Sequence, residues 1–357
     1  MTVTTPHETP VADVPGSSGA RLVDRVFKMR ELAILVVFLV MIVVTQLGNS
    51  EFLSEQGVKD LLLNATILVL VATGQSLVVI TRNVDLSVGS TLGICAFAAG
   101  TYLHGGGDPA VAIVLAVLLG VGFGLLNGLL VSLGQVPALV VTLGTLYIIR
   151  GIDSIWVGSR QITASDLPGG FVDFGSGGLG AVPWLALIAL AVLVTTAYYL
   201  KHYGSGRELY ALGSNPEAAR LAGIPVRKRI LVAYTFCGGL AGLAGAMYLA
   251  RFGNVDSSTG NGYELTVVSA VVVGGVVFTG GSGSVYGAAL GALLLTSINS
   301  VLPALGVSSV WVLAINGVLL LLAIAVDRVV ALRVASALKK KSASVKAAPK
   351  KGDTRHA

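Results

Sequence analysis

The sequence predicts an all-α fold, a polytopic transmembrane helix bundle of about ten spans with Gly-rich helix breaks. Three observations carry this expectation. Of 357 residues, 54% are apolar and only 12% charged, and the mean hydropathy is +0.84. Soluble domains of this size do not show that balance. The apolar residues fall into ten runs near the length of about 20 that crosses hydrocarbon, separated by Gly, Pro or charge. The 46 glycines lie mostly inside those runs, where small side chains let helices approach closely in a solvent that gives little hydrophobic drive.

In chain order, residues 1–20 are rich in Pro, Thr, Ser and Gly and lack apolar periodicity, as a disordered tail would. They have neither the basic start nor the short apolar core of a cleavable signal peptide, so the first span is expected to stay in the mature protein. Membrane domain 21–330 follows, with spans expected at 31–48, 59–81, 86–105, 110–134 and 136–156. Beyond an outer loop at 158–182 come a span at 183–200, a polar segment at 201–229, and spans at 230–250, 263–280, 286–305 and 309–327. The third and ninth runs are Gly-rich and fit re-entrant or broken helices, which leaves eight full crossings as the lower count. The basic tail 331–357 suits orientation or contact with anionic lipid rather than nucleic-acid binding.

Charge orients the bundle, because Lys and Arg near a membrane are retained on the cytoplasmic side. With ten crossings and an inner N-terminus, 20 of the 24 basic residues fall inside and only Lys59, Arg160 and Arg251 outside. Both termini are therefore expected in the cytoplasm.

Between the second and third runs, residues 81–90 read TRNVDLSVGS and place Arg82, Asn83, Asp85 and Ser87 where ionised groups are costly. Residues 78–93 also match 276–291 at a constant offset of 198, with identities that include Thr81 and Thr279, Gly89 and Gly287, and Gly93 and Gly291. Interrupted helices at corresponding places of a repeat point to a transport pathway. The second copy is uncharged, mainly Gly and Ser over 280–284. Two readings stay open for these segments: a pathway or gate, and a cytoplasmic turn in which Asp85 or Ser87 caps the next helix.

Within the spans, Asn64, Gln75, Asn127, Asn299 and Asn316 suit interhelical hydrogen bonds more than ligand contacts. Asn127, Asn299 and Asn316 are nonetheless kept as candidates for the translocation route. Arg150 and Asp153, three apart on the fifth span, can pair on one helix face or line the outer mouth. Cys95 and Cys237 sit inside apolar runs and read as buried thiols rather than a disulfide or metal pair. His7, His104, His202 and His356 show no metal or triad spacing. The outer loop 158–182 reads equally as a contact for a soluble partner and as a solvated linker.

The polar segment 201–229 is KHYGSGRELYALGSNPEAARLAGIPVRKR. Ser214 or Asn215 can cap a helix that starts at Pro216, and Glu217 lies in the first turn, where the dipole favours a carboxylate. Gly223 and Pro225 stop it. A helix this short needs the membrane surface or a docked partner to persist, and docking is the favoured reading.

The stretch GRELYALGSNPEAARLAGIPV followed by an apolar helix resembles the cytoplasmic loop of permease subunits of monosaccharide ABC importers, the ribose, xylose, arabinose, rhamnose and autoinducer-2 type. DLSVGS at 85–90, PALVVTLGTLYIIRG at 137–151 and GGVVFTGGSGSVYGAALGA at 274–292 continue the resemblance in order, over roughly residues 30–328. Thr81, Arg82 and Asn83 before the VDLSVGS run look closest to the rhamnose and autoinducer-2 branch. The resemblance implies a multi-pass protein of the bacterial cell membrane that imports a small sugar. It implies three kinds of partner: a second permease copy or a paralogue, an ATPase subunit with nucleotide-binding domains, and an extracytoplasmic sugar-binding protein. Its counterparts seat the short helix in the ATPase, which makes Arg207, Glu208, Asn215, Pro216, Glu217, Ala218, Ala219, Arg220 and Gly223 the coupling candidates.

No G-x-x-x-x-G-K-[ST] loop occurs in the chain, and the Gly-rich 280–287 segment lacks the Lys. No cofactor is expected here, and ATP with Mg belongs to the partner. Permeases for branched-chain amino acids or nucleosides are the runner-up; a secondary transporter would need more ionisable residues in its helices.

Overall fold

A computed structural model describes residues 17–304 continuously and isolated positions between 308 and 325. Residues 1–16 of the N-terminal tail, the C-terminal tail and most of the tenth expected span, Asn316 included, lie outside the described residues, while 17–20 begin α1. Twelve α-helices are described in these residues. They are α1 (Ser17–Gly48), α2 (Glu55–Ile80), α3 (Val88–His104), α4 (Pro109–Ser132), α5 (Ala138–Val157), α6 (Gly169–Ser176), α7 (Trp184–His202), α8 (Gly204–Ser214), α9 (Pro216–Leu221), α10 (Val226–Phe252), α11 (Tyr263–Val273) and α12 (Val285–Ala304). A two-stranded hairpin, β1 (Gly178–Leu179) and β2 (Val182–Pro183), precedes α7.

Helix α2 is the axis of the bundle. It starts at a Ser54 cap whose side chain accepts from Gly57 N, and its residues are buried without a break from Ala65 to Ile80. A helix apolar all round can take that central place. Helices α7, α10, α11 and α12 surround it, α3 packs on α10, and α4 packs on α3 and α10. The α4–α10 crossing is the most extensive helix contact among the described residues, and glycine makes it close. A Cβ on Gly238 would stand 2.7 Å from the Gly124 Cα, and one on Gly120 would stand 2.9 Å from the Gly242 Cα. Ala116, Gly120 and Gly124 at four-residue spacing meet Gly238 and Gly242 at the same spacing, so two backbones touch and dispersion replaces the missing hydrophobic drive.

Ion pairs and hydrogen bonds gather the helix ends at two places. At one end Arg251, closing α10, pairs with Asp60, opening α2, at 2.7 Å, and Ile162 bridges to Val255. At the other end lie α8, α9, the end of α2 and the start of α10, where Arg229 pairs with Glu208.

Among the described residues, six helices are long and apolar enough to cross a membrane: α2, α4, α5, α7, α10 and α12 up to Leu302. Two expected spans are shorter. The third is α3, with 17 residues, in line with its Gly-rich sequence. The eighth is α11, which has only 11 residues because it stops at Gly274. The ninth, expected at 286–305 and Gly-rich enough to fit a broken helix, is the unbroken 20-residue helix α12, and its glycines serve contact with α11. Gly291 stands so close to α11 that a Cβ would lie 2.8 Å from Gly274 N. Helix α8 was not expected within the polar segment, nor were α6 and the hairpin within the 158–182 loop.

Candidate functional site

Helix α2 ends at Thr81 in a Schellman stop. Arg82 takes the left-handed conformation at φ 65°, its N–H bonds Val79 O at 2.9 Å, and Asn83 N–H bonds Val78 O at 3.2 Å. That conformation disfavours a residue with a Cβ, so Arg82 carries local strain. Its side chain is exposed, whereas Asn83 folds back and donates to Thr81 O at 2.9 Å and Thr81 Oγ1 at 3.1 Å.

The next residues are buried and held from several helices. Asp85, 1% exposed, accepts Ser87 N at 2.8 Å and Ser87 Oγ at 2.6 Å. Asn127 of α4 donates to Ser87 Oγ at 2.8 Å and reaches the Asp85 carboxylate at 3.4 Å. In the amide orientation its neighbours require, Gln75 of α2 donates to Asp85 O at 3.3 Å and accepts from Asp85 N at 3.2 Å. Tyr234 of α10 donates to Val84 O at 3.0 Å, and Thr142 of α5 reaches the same oxygen at 3.4 Å. Four helices thus satisfy the polar groups of one broken segment, the condition for irregular backbone at membrane depth. Asp85 is the residue that starts α3, through the Asx bond to Ser87 N; Ser87 itself makes no side-chain cap.

The second break, residues 274–284, opens on the same kind of stop. Gly275 at φ 94° donates to Val272 O and Val276 N–H to Val271 O at 3.1 Å, and α12 resumes at Val285. It is longer than the first break, 81–87, so a constant offset does not describe the two backbones. The breaks meet: Gly281 N–H donates to Ile80 O at 2.9 Å. Helix α8 closes the junction. A Cβ on Gly213 would lie 2.5 Å from Gly281 N and close on Ile80 O as well, so only glycine fits between the two breaks. Tyr210 of α8 donates to Gly283 O at 3.1 Å.

Beyond α8 stands α9. Asn215 rather than Ser214 caps it, accepting Glu217 N and Ala218 N at 3.1 Å. Pro216 follows at the first helical position, where its missing N–H is no loss. Gly223 at φ 79° ends it, with its N–H on Arg220 O and Ile224 N–H on Ala219 O, both at 3.0 Å. Ala219 is the buried contact; Glu217, Ala218, Arg220 and Leu221 face outward, and Leu221 is 90% exposed. Arg207 is exposed too, but Glu208 is engaged within the chain by Arg229, which orders the α8–α10 corner.

The remaining candidates stand elsewhere. Arg150 donates to Thr259 O at 2.7 Å and lies 3.8 Å from the fully buried Asp153, so it ties α5 to the 257–259 loop and offsets the carboxylate. Asn299 is half-buried on α12. Asp85, Ser87 and Asn127 form one cluster; Arg82, the Arg150–Asp153 pair and Asn299 do not join it. Gln75, Tyr234 and Thr142 complete it. Of these, only Gln75 stood out as a polar residue in its run; Tyr234 and Thr142 are ordinary residues of apolar helices. Cys95 and Cys237 are buried free thiols.

Residues 57–324 match the family described as branched-chain amino acid transport system / permease component. The autoinducer 2 import system permease protein LsrC of Salmonella typhimurium (strain LT2) is 39% identical over 276 residues, 76% of this chain and 78% of that protein. The protein of the same name from Escherichia coli O157:H7 is 37% identical over 301 residues, 84% of this chain and 86% of its own length. No solved structure matches the chain significantly. A multi-helix bundle with two facing helix breaks, matched over most of its length by that family and by import permeases, belongs to the branched-chain amino acid transport system permease family.

Proposed function

We propose that the chain is the membrane-spanning permease subunit of an ATP-driven ABC importer that moves a monosaccharide or a sugar-like signal. One observation carries this reading: the capped helix α9 presents Glu217, Arg220 and Leu221 outward, while α8, leading directly into it, is wedged between both helix breaks. A force applied to α9 is thereby delivered to the broken helices. Hydrolysis of ATP belongs to a separate subunit seated on α9, a second permease copy or paralogue completes the pathway, and an extracytoplasmic binding protein supplies the solute.

The names of the similar proteins favour autoinducer 2 or a related sugar as cargo. The family description favours branched-chain amino acids as the second reading. Ten spans and two cytoplasmic termini are supported by the basic-residue asymmetry and by the sorting of helix ends, with α8, α9 and the breaks on the cytoplasmic side. The shared form of the two stops, at Arg82 and Gly275, supports an internal repeat with a longer second break.

Reconstitution with the partner subunits tests the reading. Uptake of labelled sugar-type cargo into proteoliposomes is expected to need ATP and the binding protein. Uptake driven by an ion gradient without the ATPase would contradict it.

A further inference from the structure

Helix α7 leaves the bundle at Lys201 and His202 and turns at Tyr203 into α8. Tyr198 stacks on His202 at 4.2 Å between ring centroids, and Tyr199 and Tyr203 stand beside them. Such a girdle marks the level where hydrocarbon gives way to headgroups. At this level a cavity of about 490 Å³ opens between α7, α8 and the start of α12. Its wall is apolar, built of Ala197, Leu200 and Val285, and its rim carries Lys201 and Arg207. Among the described residues neither cation has an acidic partner, and the neighbouring Glu208 is already taken by Arg229. Ser284 caps α12 by accepting Tyr286 N at 3.1 Å, so the positive charge of the site comes from the two side chains and the helix end adds only its field.

We infer that this cavity binds an anionic phospholipid, its phosphate between Lys201 and Arg207 and the upper part of an acyl chain along Ala197, Leu200 and Val285. A small free anion would leave the apolar wall unused; a zwitterionic lipid would bring its own cation to the two already present. The site rests on the membrane placement of α7, and not on the docking of α9. Its position gives the lipid a role, because Tyr210 and Gly283, whose hydrogen bond ties α8 to the second break, both line the cavity. Lipid bound there buttresses the contact through which α8 acts on α12.

The full chain, purified in neutral detergent, is titrated with phosphatidylglycerol, phosphatidylcholine or inorganic phosphate in separate arms, and retained ligand is counted by native mass spectrometry. Each basic residue is expected to contribute about fivefold to the preference for phosphatidylglycerol over phosphatidylcholine, about 25-fold together. Lys201→Gln and Arg207→Gln each lower it about fivefold, the double variant abolishes it, and Lys201→Arg with Arg207→Lys keeps it. An unchanged preference in the single or double Gln variants overturns the site. Displacement of phosphatidylglycerol by an equal concentration of inorganic phosphate overturns the lipid assignment.

Discussion

Asp85 shows how one side chain makes a break tenable. Its carboxylate satisfies Ser87 twice and Asn127 once, and its backbone is matched by Gln75, so the segment has partners where water is absent. Asp85→Asn keeps the size but turns an acceptor into a partial donor facing Ser87 N–H. Uptake is expected to fall well below wild type, and wild-type rates would reduce the segment to a connecting turn. Tyr234→Phe removes the shorter hydrogen bond to Val84 O and is expected to cost about 1–3 kcal/mol, read as a lowered melting midpoint of the purified chain. The charged residue of this cluster, Asp85, was legible because an Asp between apolar runs needs an explanation. Tyr234 and Thr142 were not, since their significance lies in which buried carbonyl they reach, and residues 150 and 58 positions away carry no local mark of it.

The elements divide in the same way. The long apolar runs gave α2, α4, α5, α7 and α10 directly, and the Asn-Pro-Glu start with its Gly stop gave α9. Helix α8 lay unread in the polar segment, where only the helix from Pro216 was expected; Gly206 and Gly213 are glycine to let α8 lie against α7, the α2 end and the second break. The buried stripe Gly206, Leu209, Leu212 and Gly213 is the signal that a search for apolar residues alone overlooks. Gly213→Val is therefore expected to abolish uptake while the ATPase subunit still co-purifies, because α9 is untouched. Gly238→Leu has a different outcome: it forces α4 and α10 apart and is expected to cost at least about 1–3 kcal/mol, seen as aggregation or a lowered melting midpoint. In the outer loop, the Thr163 N–H bonded to Asp166 holds that carboxyl below the usual carboxylate range. A depressed folded value stabilises the loop above the unfolded pKa of about 4, and the contribution is lost as pH falls through the lower folded value. Amide exchange at Thr163 is expected to accelerate below about pH 4.

For the whole molecule, the arrangement is a central helix α2 whose far end is gripped by the second break and by α8. The order of the spans was legible from hydropathy, and α12 falls on its expected run, while the short α11 was not legible, because the glycines that end it, Gly274 and Gly275, lie within a continuous apolar run. The central claim is that α9 is the handle by which an ATPase moves this assembly. Changing Glu217 or Arg220 is expected to abolish co-purification with the ATPase subunit without preventing membrane insertion. The most direct measurement uses Leu221→Cys, an exposed position in a chain whose own Cys95 and Cys237 are buried. A photoreactive maleimide placed there in the co-expressed complex is expected to give a covalent adduct with the ATPase subunit. No adduct, with ATP-driven uptake at the wild-type rate, would contradict the claim.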